Sequence, residues 1–506
     1  MDGPMLAIDR SSGRPLGVQL VEGVRRGILD GALRPGDPVP STRALASELG
    51  VSRSAIVAAY EQLAGEGYLD MRQGAATRVA ELPTTFSGGM PATGAAGPGT
   101  SRIVAALTSS APTGAPDAEP GRTEPRISLL PGYPSTARID ARAWRAAWRH
   151  AAAREIPSVS PPPFGVDSLR AEIADHLRHA RGVTCSPDEV VITAGTNEAV
   201  GLIAGALRVL RGAQPIVAVE HPGYPSARRA LERRGMLTMP VAVDADGLDL
   251  EALRRAPHRP DAVMVTPSHQ YPLGGRLPVA TRLELLAWAG STGTLVIEDD
   301  YDSEFRHTGP PFPALASLDE AGLTVLVGSF SKVLTPWLRL GYLVLPPAET
   351  NPTLRAAVAE VRADEACPVP GVAQEAMAAL LAGGTVRRHI AVTRREYAHR
   401  RRLVLAALGD LPGAPLSALD GGLHAVIELP DAATSAAVVA RLAAEGVAVA
   451  PLADYSAVAG DEQPGIVFGY AATTDTQLAE GLERIRAAII DGGIARPVER
   501  TSRPIG

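Results

Sequence analysis

Gly328-Ser329-Phe330-Ser331-Lys332, with Arg339 seven positions further on in Arg339-Leu340-Gly341-Tyr342, is the stretch from which the rest of the chain is best read. Of the 49 Lys and Arg residues, Lys332 is the single lysine. A GC-rich genome accounts for a general excess of Arg and Ala, but not for this exception. Lysine differs from arginine in carrying an amine that can lose its proton and attack a carbonyl. Keeping Lys at this one position points to an imine. The hydroxyls of Ser329 and Ser331 and the guanidinium of Arg339 suit a dianionic phosphate.

Working outward, short β-branched runs alternate with helical stretches from about residue 126 onward. Val190–Thr193, Ile216–Val219, Ala262–Val265, Leu295–Ile297 and Val325–Val327 read as strands buried on both faces. The alternation predicts an α/β domain with a mostly parallel sheet. In such sheets ligands gather beyond the carboxyl ends of the strands. Three further segments lie there. Thr193-Ala194-Gly195-Thr196-Asn197 leaves a strand and opens a helix, whose first N–H groups favour an anion. Tyr224, in His221-Pro222-Gly223-Tyr224-Pro225, could stack on a flat ring, although ordinary loop packing reads equally well. Glu298-Asp299-Asp300-Tyr301-Asp302-Ser303-Glu304-Phe305 follows Leu295–Ile297. A carboxylate beside a pyridine nitrogen keeps it protonated and makes the ring an electron sink. A metal site and a solvated acidic loop are the alternatives; no His spacing supports the metal, so none is expected.

The N-terminal part has a different grain. Pro15–Asp30 carries Leu16, Leu20, Val24 and Ile28 at helical spacing and stops at Gly31. Thr42–Leu49 reads as a short helix ending at Gly50, and a second begins after an N-cap at Ser52 and runs to about Gly65. Two short helices about a Gly-containing turn form a helix-turn-helix. Tyr68–Met71 and Thr77–Val79, on either side of Gly74, predict a small β-hairpin wing. Residues 81–125, rich in Pro, Gly, Ala, Ser and Thr, read as a flexible linker, with an ordered irregular wrap as the alternative. Past about 376, strands at Gly422–Leu429 and Val447–Ala450 and a helix over Asp475–Ile490 suggest a smaller α+β lobe.

Length and composition agree with several folding units. The chain has 506 residues, 45% apolar and 21% charged, so a large core is available, filled mostly by aliphatic side chains because aromatics are 4%. Two cysteines, Cys185 and Cys367, cannot make a disulfide framework and fit a reducing compartment. With no signal-like N-terminus and no apolar run of the roughly 18 residues a span needs, the expectation is a soluble, cytoplasmic protein with no membrane partner. The net charge of −6 means that any nucleic-acid binding must use a local basic surface.

Taken together, the motifs resemble a known family. From about 126 to 490 the chain is similar to fold-type-I pyridoxal 5'-phosphate (PLP) enzymes of the aminotransferase class, through Thr266-Pro267-Ser268-His269-Gln270-Tyr271-Pro272, Glu298–Phe305 and Ser329–Lys332. Pro40-Ser41-Thr42-Arg43, Gly50-Val51-Ser52-Arg53 and Tyr60-Glu61-Gln62-Leu63 to Leu69 add the winged helix of the GntR regulator superfamily, in its MocR/GabR branch. The resemblance implies residues 1–80 as a winged helix-turn-helix (α+β), 81–125 as linker, and 126–490 as an aminotransferase-like α/β domain. Within the last, the large part spans about 165–375 and the small lobe about 376–490, with 491–506 as a tail.

It also implies roles. Lys332 forms the internal aldimine, Asp299 pairs with the pyridine nitrogen, Tyr301 bonds the ring hydroxyl, and Tyr224 stacks on the ring. Gly195, Thr196, Asn197, Ser329, Ser331 and Arg339 surround the phosphate, and His269 shapes the pocket near the ring. On the DNA side, Ser41, Thr42, Arg43, Ser52, Arg53 and Ser54 face operator DNA, and Arg72 and Gln73 on the wing enter the minor groove. The implied partners are double-stranded operator DNA, PLP with or without a small amine or amino-acid effector, a second copy in a head-to-tail homodimer, and RNA polymerase.

Three departures stand out. The wing reads Gly74-Ala75-Ala76-Thr77 where the family has a second Gly, and Tyr271 replaces an Asn. Gly465–Ala471 lacks the Arg with which aminotransferases bind a substrate carboxylate, although Arg228, Arg229 or a partner's Arg could substitute. A carboxylate buried there without a partner costs several kcal/mol. The expectation is therefore a PLP-dependent transcriptional regulator, not an enzyme with full turnover, controlling PLP synthesis or amino-acid and amine metabolism. The alternatives are an active aminotransferase with an accessory DNA module, and a scaffold that has lost PLP.

Overall fold

The computed structural model describes residues 16–29, 32–65, 68–71, 76–80, 126–212, 214–308 and 312–491. The expected linker, the tip of the wing with Arg72, Gln73 and Gly74, and the tail lie outside these residues.

The N-terminal unit forms as its pattern predicts. Helix α1 (Leu16–Leu29) turns Leu20, Val24 and Ile28 inward. Helix α2 (Thr42–Leu49) begins at Ser41, whose side chain accepts from Ala44 N, and ends at Gly50 in the left-handed conformation. Helix α3 (Arg53–Gly65) follows at once and buries Ile56, Tyr60 and Leu63. Strands β1 (Leu69–Asp70) and β2 (Arg78–Val79) pair antiparallel as the base of the wing. This small core does not end at its own boundary: Val279, Leu283 and Phe312 of the larger part pack into the same cluster.

The larger part opens with β3 (Ile127–Ser128). Its central sheet has eight strands: β4 (Val190–Thr193), β5 (Ile216–His221), β6 (Leu237–Asp244), β7 (Gly247–Leu248), β8 (Ala262–Val265), β9 (Leu295–Asp300), β10 (Thr324–Ser329) and β11 (Gly341–Val344). Their order is β4-β11-β10-β9-β8-β5-β6-β7. Neighbours from β10 through β6 are parallel, whereas β11 runs antiparallel to both β10 and β4. Helices cover both faces, which is why β4 and β8 are buried at every position.

A second sheet of four strands forms the smaller lobe: β12 (Leu416–Ser417), β13 (His424–Glu428), β15 (Ala450–Pro451) and β16 (Gly465–Gly469), with β14 (Val447–Ala448) between them in sequence. β14 pairs instead with β3, so the start of the larger part is sewn to its far end. The segment expected as a single strand over Val447–Ala450 is thus split between two sheets. The last helix spans Asp475–Asp491. Among the described residues no helix is long and apolar enough to cross a membrane.

Candidate functional site

The acidic run expected to follow the strand in fact closes it, since β9 runs on through Asp300, and strand alternation sorts its side chains to opposite faces. Glu298 turns to one side and accepts from the Leu315 and Ala316 N–H groups at 3.0 Å each. Asp300, on the same side, lies 2.7 Å from Arg181 Nε, with both side chains buried. Asp299 and Tyr301 turn the other way, into a cavity of about 290 Å³. Burial above all, then the charges of Asp300 and Glu220, push the Asp299 carboxyl up to about 8, against the pull of Lys332.

Lys332 enters the same cavity from the turn after β10. Its Nζ donates to the Gly132 carbonyl at 2.7 Å. Gly132 has φ +87°, and a Cβ there would meet that Nζ at 2.9 Å, so only glycine leaves the amine its place. Desolvation by the surrounding protein holds the Lys332 amine below the usual lysine range, although Asp299 and Asp302 favour its charge. Thr196, Asn197, Ser329, Ser331 and Arg339 also line the cavity. Gly195 is the N-cap of the helix Thr196–Arg211, and its Cβ position lies 3.9 Å from the Arg339 guanidinium.

Two buried acceptors in this cavity, Asp299 Oδ1 and Asn197 Oδ1, have no hydrogen-bond partner within the protein. A buried polar atom left unpaired is costly and calls for an explanation. A ring N–H opposite Asp299 would satisfy the first, and with the Lys332 amine and the Arg339 guanidinium in the same cavity the side chains present fit PLP.

Aromatic side chains form the remaining wall. Tyr271 meets Tyr224, Tyr301 and Tyr455 edge-on, with centroids 5.9, 5.5 and 5.3 Å apart. Glu220 buttresses the loop that carries Tyr271, accepting from Thr266 N at 2.9 Å, Thr266 Oγ1 at 2.5 Å and Gln270 Nε2 at 3.2 Å. His269 does not line the cavity: it lies behind Tyr301, with Nδ1 at 3.0 Å from Tyr301 Oη and 2.8 Å from Asp302 Oδ2. No His spacing in the sequence suggested a metal, yet the fold gathers His269, Asp302 and His424 with candidate ligand atoms within 4.8 Å of one another. Their hydrogen bonds, Asp302 on His269 and Pro272 O on His424 Nε2, describe a polar cluster and we do not read it as a metal centre.

The cavity's side-chain cations are Lys332 and Arg339, beside His424, among the described residues. Arg228 is engaged by Glu232 and the Ser456 carbonyl. Tyr470, on the stretch where aminotransferases carry Arg, donates to the Gly422 carbonyl at 2.9 Å.

In the N-terminal unit, the starts of α2 and α3 adjoin. Arg53 Nε reaches toward Thr42 Oγ1 at 3.4 Å, and Ser52 Oγ is 3.0 Å from Ser54 Oγ and accepts from Ala55 N at 3.3 Å. Ser41, Arg43, Ser52, Arg53 and Ser54 are exposed and Thr42 is half-buried, so hydroxyls and guanidinium groups share one surface.

Known proteins match both parts. The family described as "Aminotransferase class I and II" matches residues 132–485, and "Bacterial regulatory proteins, gntR family" matches residues 16–79. The HTH-type pyridoxine biosynthesis transcriptional regulator PdxR of Corynebacterium glutamicum is 40% identical over 93% of this chain and 95% of its own length. The probable rhizopine catabolism regulatory protein MocR of Rhizobium meliloti is 32% identical over 99% and 100%. The chain belongs to the MocR-type GntR regulators.

This MocR-type regulator also shares its larger fold with solved aminotransferases. LysN, the alpha-aminoadipate aminotransferase of Thermus thermophilus, superposes with a TM-score of 0.64 at 27% identity, covering 72% of this chain and 92% of LysN. Sequence reasoning missed several residues that line the regulator's cavity. Pro131, Gly132 and Tyr133 come from a loop far upstream of any motif, and Leu423 and His424 from the smaller lobe. Tyr271 was legible only as an odd residue in a familiar motif.

Proposed function

We propose that this MocR-type regulator binds operator DNA through α2 and α3 and holds PLP at Lys332, with occupancy of that site setting how the DNA-binding units are presented. One observation carries the reading: Lys332, Asp299, Tyr301 and Arg339, scattered over forty positions, meet in one cavity in which Asp299 Oδ1 waits unpaired. PLP, when bound, supplies an aldehyde that an amine can take up covalently and a ring that draws electrons.

The chain's own residues do the rest. Lys332 Nζ, favoured in its neutral form by burial, is the nucleophile. Asp299 holds the proton at the ring nitrogen. Arg339, with Thr196, Asn197 and the Ser329 and Ser331 hydroxyls, binds the phosphate. Tyr224 stacks, and Tyr301 hydrogen-bonds the ring oxygen.

Among the described residues the cavity has no cation to spare for an α-carboxylate, and the reading favours PLP itself or an amine without a carboxylate as the signal. The 40% identity to a pyridoxine biosynthesis regulator supports PLP and control of its synthesis. The same reading makes the regulator a cytoplasmic homodimer, head-to-tail, with units at 1–80 and 126–490 and a connecting 81–125. The test is a gel-shift on DNA upstream of its own or the neighbouring gene, with and without PLP. Binding that responds to PLP in the wild type but not in Lys332→Ala supports it. Steady turnover with an amino acid and a keto acid would instead favour a working aminotransferase.

A further inference from the structure

Tyr301 has two neighbours behind it that the cofactor reading does not use. Its Oη donates to the His269 carbonyl at 3.0 Å and also sits 3.0 Å from His269 Nδ1. His269 Nδ1 in turn lies 2.8 Å from Asp302 Oδ2. Both side chains of this pair are almost fully buried, at 3% and 2% exposure, so neither is a solvated surface group. An ionised carboxylate only accepts hydrogen bonds, so at this distance the imidazole proton resides on Nδ1. His269 Nε2 is buried without a partner. Nδ1 has no lone pair left for Tyr301, and the tyrosine hydrogen is directed to the His269 carbonyl. Asp302 thereby fixes the tautomer of His269, and the tautomer fixes the rotation of the Tyr301 hydroxyl.

The pair is held from the smaller lobe. A Cβ on Gly422 (φ +71°) would meet Asp302 Oδ2 at 2.3 Å and His269 Cε1 at 2.9 Å, so only glycine permits the close approach. The Gly422 carbonyl accepts from Tyr470 Oη at 2.9 Å, with His307 Nε2 at 3.1 Å. His424, on β13, faces His269 with ring centroids 5.3 Å apart. Burial pushes His307 and His424 down to about 4, so both are neutral near pH 7. On the far side Arg181, Arg276, Arg306 and Asp420 line a narrow cleft against the pair. The charge of Asp302 is felt at Tyr301, at Asp299 and at Lys332.

We propose that His269 and Asp302 are a positioning pair: by turning the Tyr301 hydrogen to the His269 carbonyl they leave the Tyr301 oxygen as an acceptor toward the ring oxygen of bound PLP. The inference rests on the cofactor reading above. Its test is an absorbance titration of the full-length regulator loaded with PLP, following the near-visible band against pH.

Asp302→Asn keeps the shape and removes the charge, and His269→Gln removes the ring. Either should lower the midpoint by about one pH unit, a tenfold change, because the lost carboxylate or its relay no longer favours the protonated, charged form. In a Tyr301→Phe background the same substitutions should move the midpoint by less than half as much. A coloured protein whose midpoint neither substitution moves overturns the inference alone, as does an undiminished shift in the Tyr301→Phe background. A wild type that takes up no PLP overturns the cofactor reading and this inference with it. Should Asp302→Asn fail to fold by circular dichroism, His269→Gln carries the decision.

Discussion

At the scale of single residues, Asp299 is where chemistry and stability pull apart. Its carboxyl sits at about 8 in the folded protein against an ordinary 3.8. A carboxyl raised on folding means that the folded state holds the extra proton, so its stabilising contribution is full below about pH 4 and is lost as pH rises toward 8. Asp299→Asn, which is neutral throughout, should therefore match the PLP-free wild type near pH 4 and exceed it by several °C in Tm above pH 8; thermal melts across that range check this. The same substitution should weaken PLP binding tenfold to a hundredfold, the loss of a charged hydrogen bond worth about 1.5–3 kcal/mol, measured by absorbance titration. Lys332→Ala should abolish the near-visible absorbance altogether while leaving the fold intact, since among the described residues Nζ holds the fold only through its hydrogen bond to Gly132 O.

At the scale of elements, the helix-turn-helix predicts its own test. Arg53 stands at the first turn of α3 and is exposed, with its Nε toward Thr42 on α2. Arg53→Ala should weaken operator binding by about 1–3 kcal/mol if it reads a base; a phosphate contact would instead lower the salt slope by about one without changing sequence preference. Gel-shifts at two salt concentrations separate the two. The same elements tell what the sequence made legible. Helix α2 and the start of α3 were readable because Gly50 and Ser52 carry the capping chemistry locally, while the cap that Ser41 supplies to α2 was not. The strands β4, β5, β8, β9 and β10 were readable because burial on both faces demands unbroken β-branched runs. The reversal of β11 was not, since Gly341–Val344 looks the same in either direction. Nor was the pairing of β3 with β14, which joins segments more than three hundred residues apart. The site followed the same rule. Asp299, Tyr301, Lys332 and Arg339 sit on short motifs at or just past strand ends, whereas Gly132, from a distant loop, and His424, from the start of β13, have no local signature.

At the scale of the whole molecule, the question is how the cavity and the winged helix could affect one another. Arg282 is fully buried and donates to three carbonyls, those of Leu277 and Pro313 at 2.8 Å and Pro267 at 2.5 Å. Pro267 belongs to the loop that carries Tyr271 into the cofactor cavity and His269 behind Tyr301. Pro313 follows Phe312, whose ring packs in the core of the winged-helix unit with Arg306, Arg282 and Arg276 at 4.6, 5.2 and 5.4 Å from its centroid. One buried guanidinium thus ties the floor of the cavity to the surface on which the N-terminal unit rests. Contact of this kind transmits a signal only if it has two arrangements that the cofactor biases differently. Phe312→Ala removes the ring while leaving Arg282 its three carbonyls. The prediction is that this variant keeps the PLP absorbance and binds operator DNA, but loses the difference between its DNA affinities with and without PLP. Coupling of this sort is typically worth about 1–3 kcal/mol, so the wild type should show a change of roughly fivefold to more than a hundredfold where the variant shows none. Gel-shifts on the two proteins, each with and without PLP, measure it directly, and an undiminished PLP response in Phe312→Ala would place the connection elsewhere.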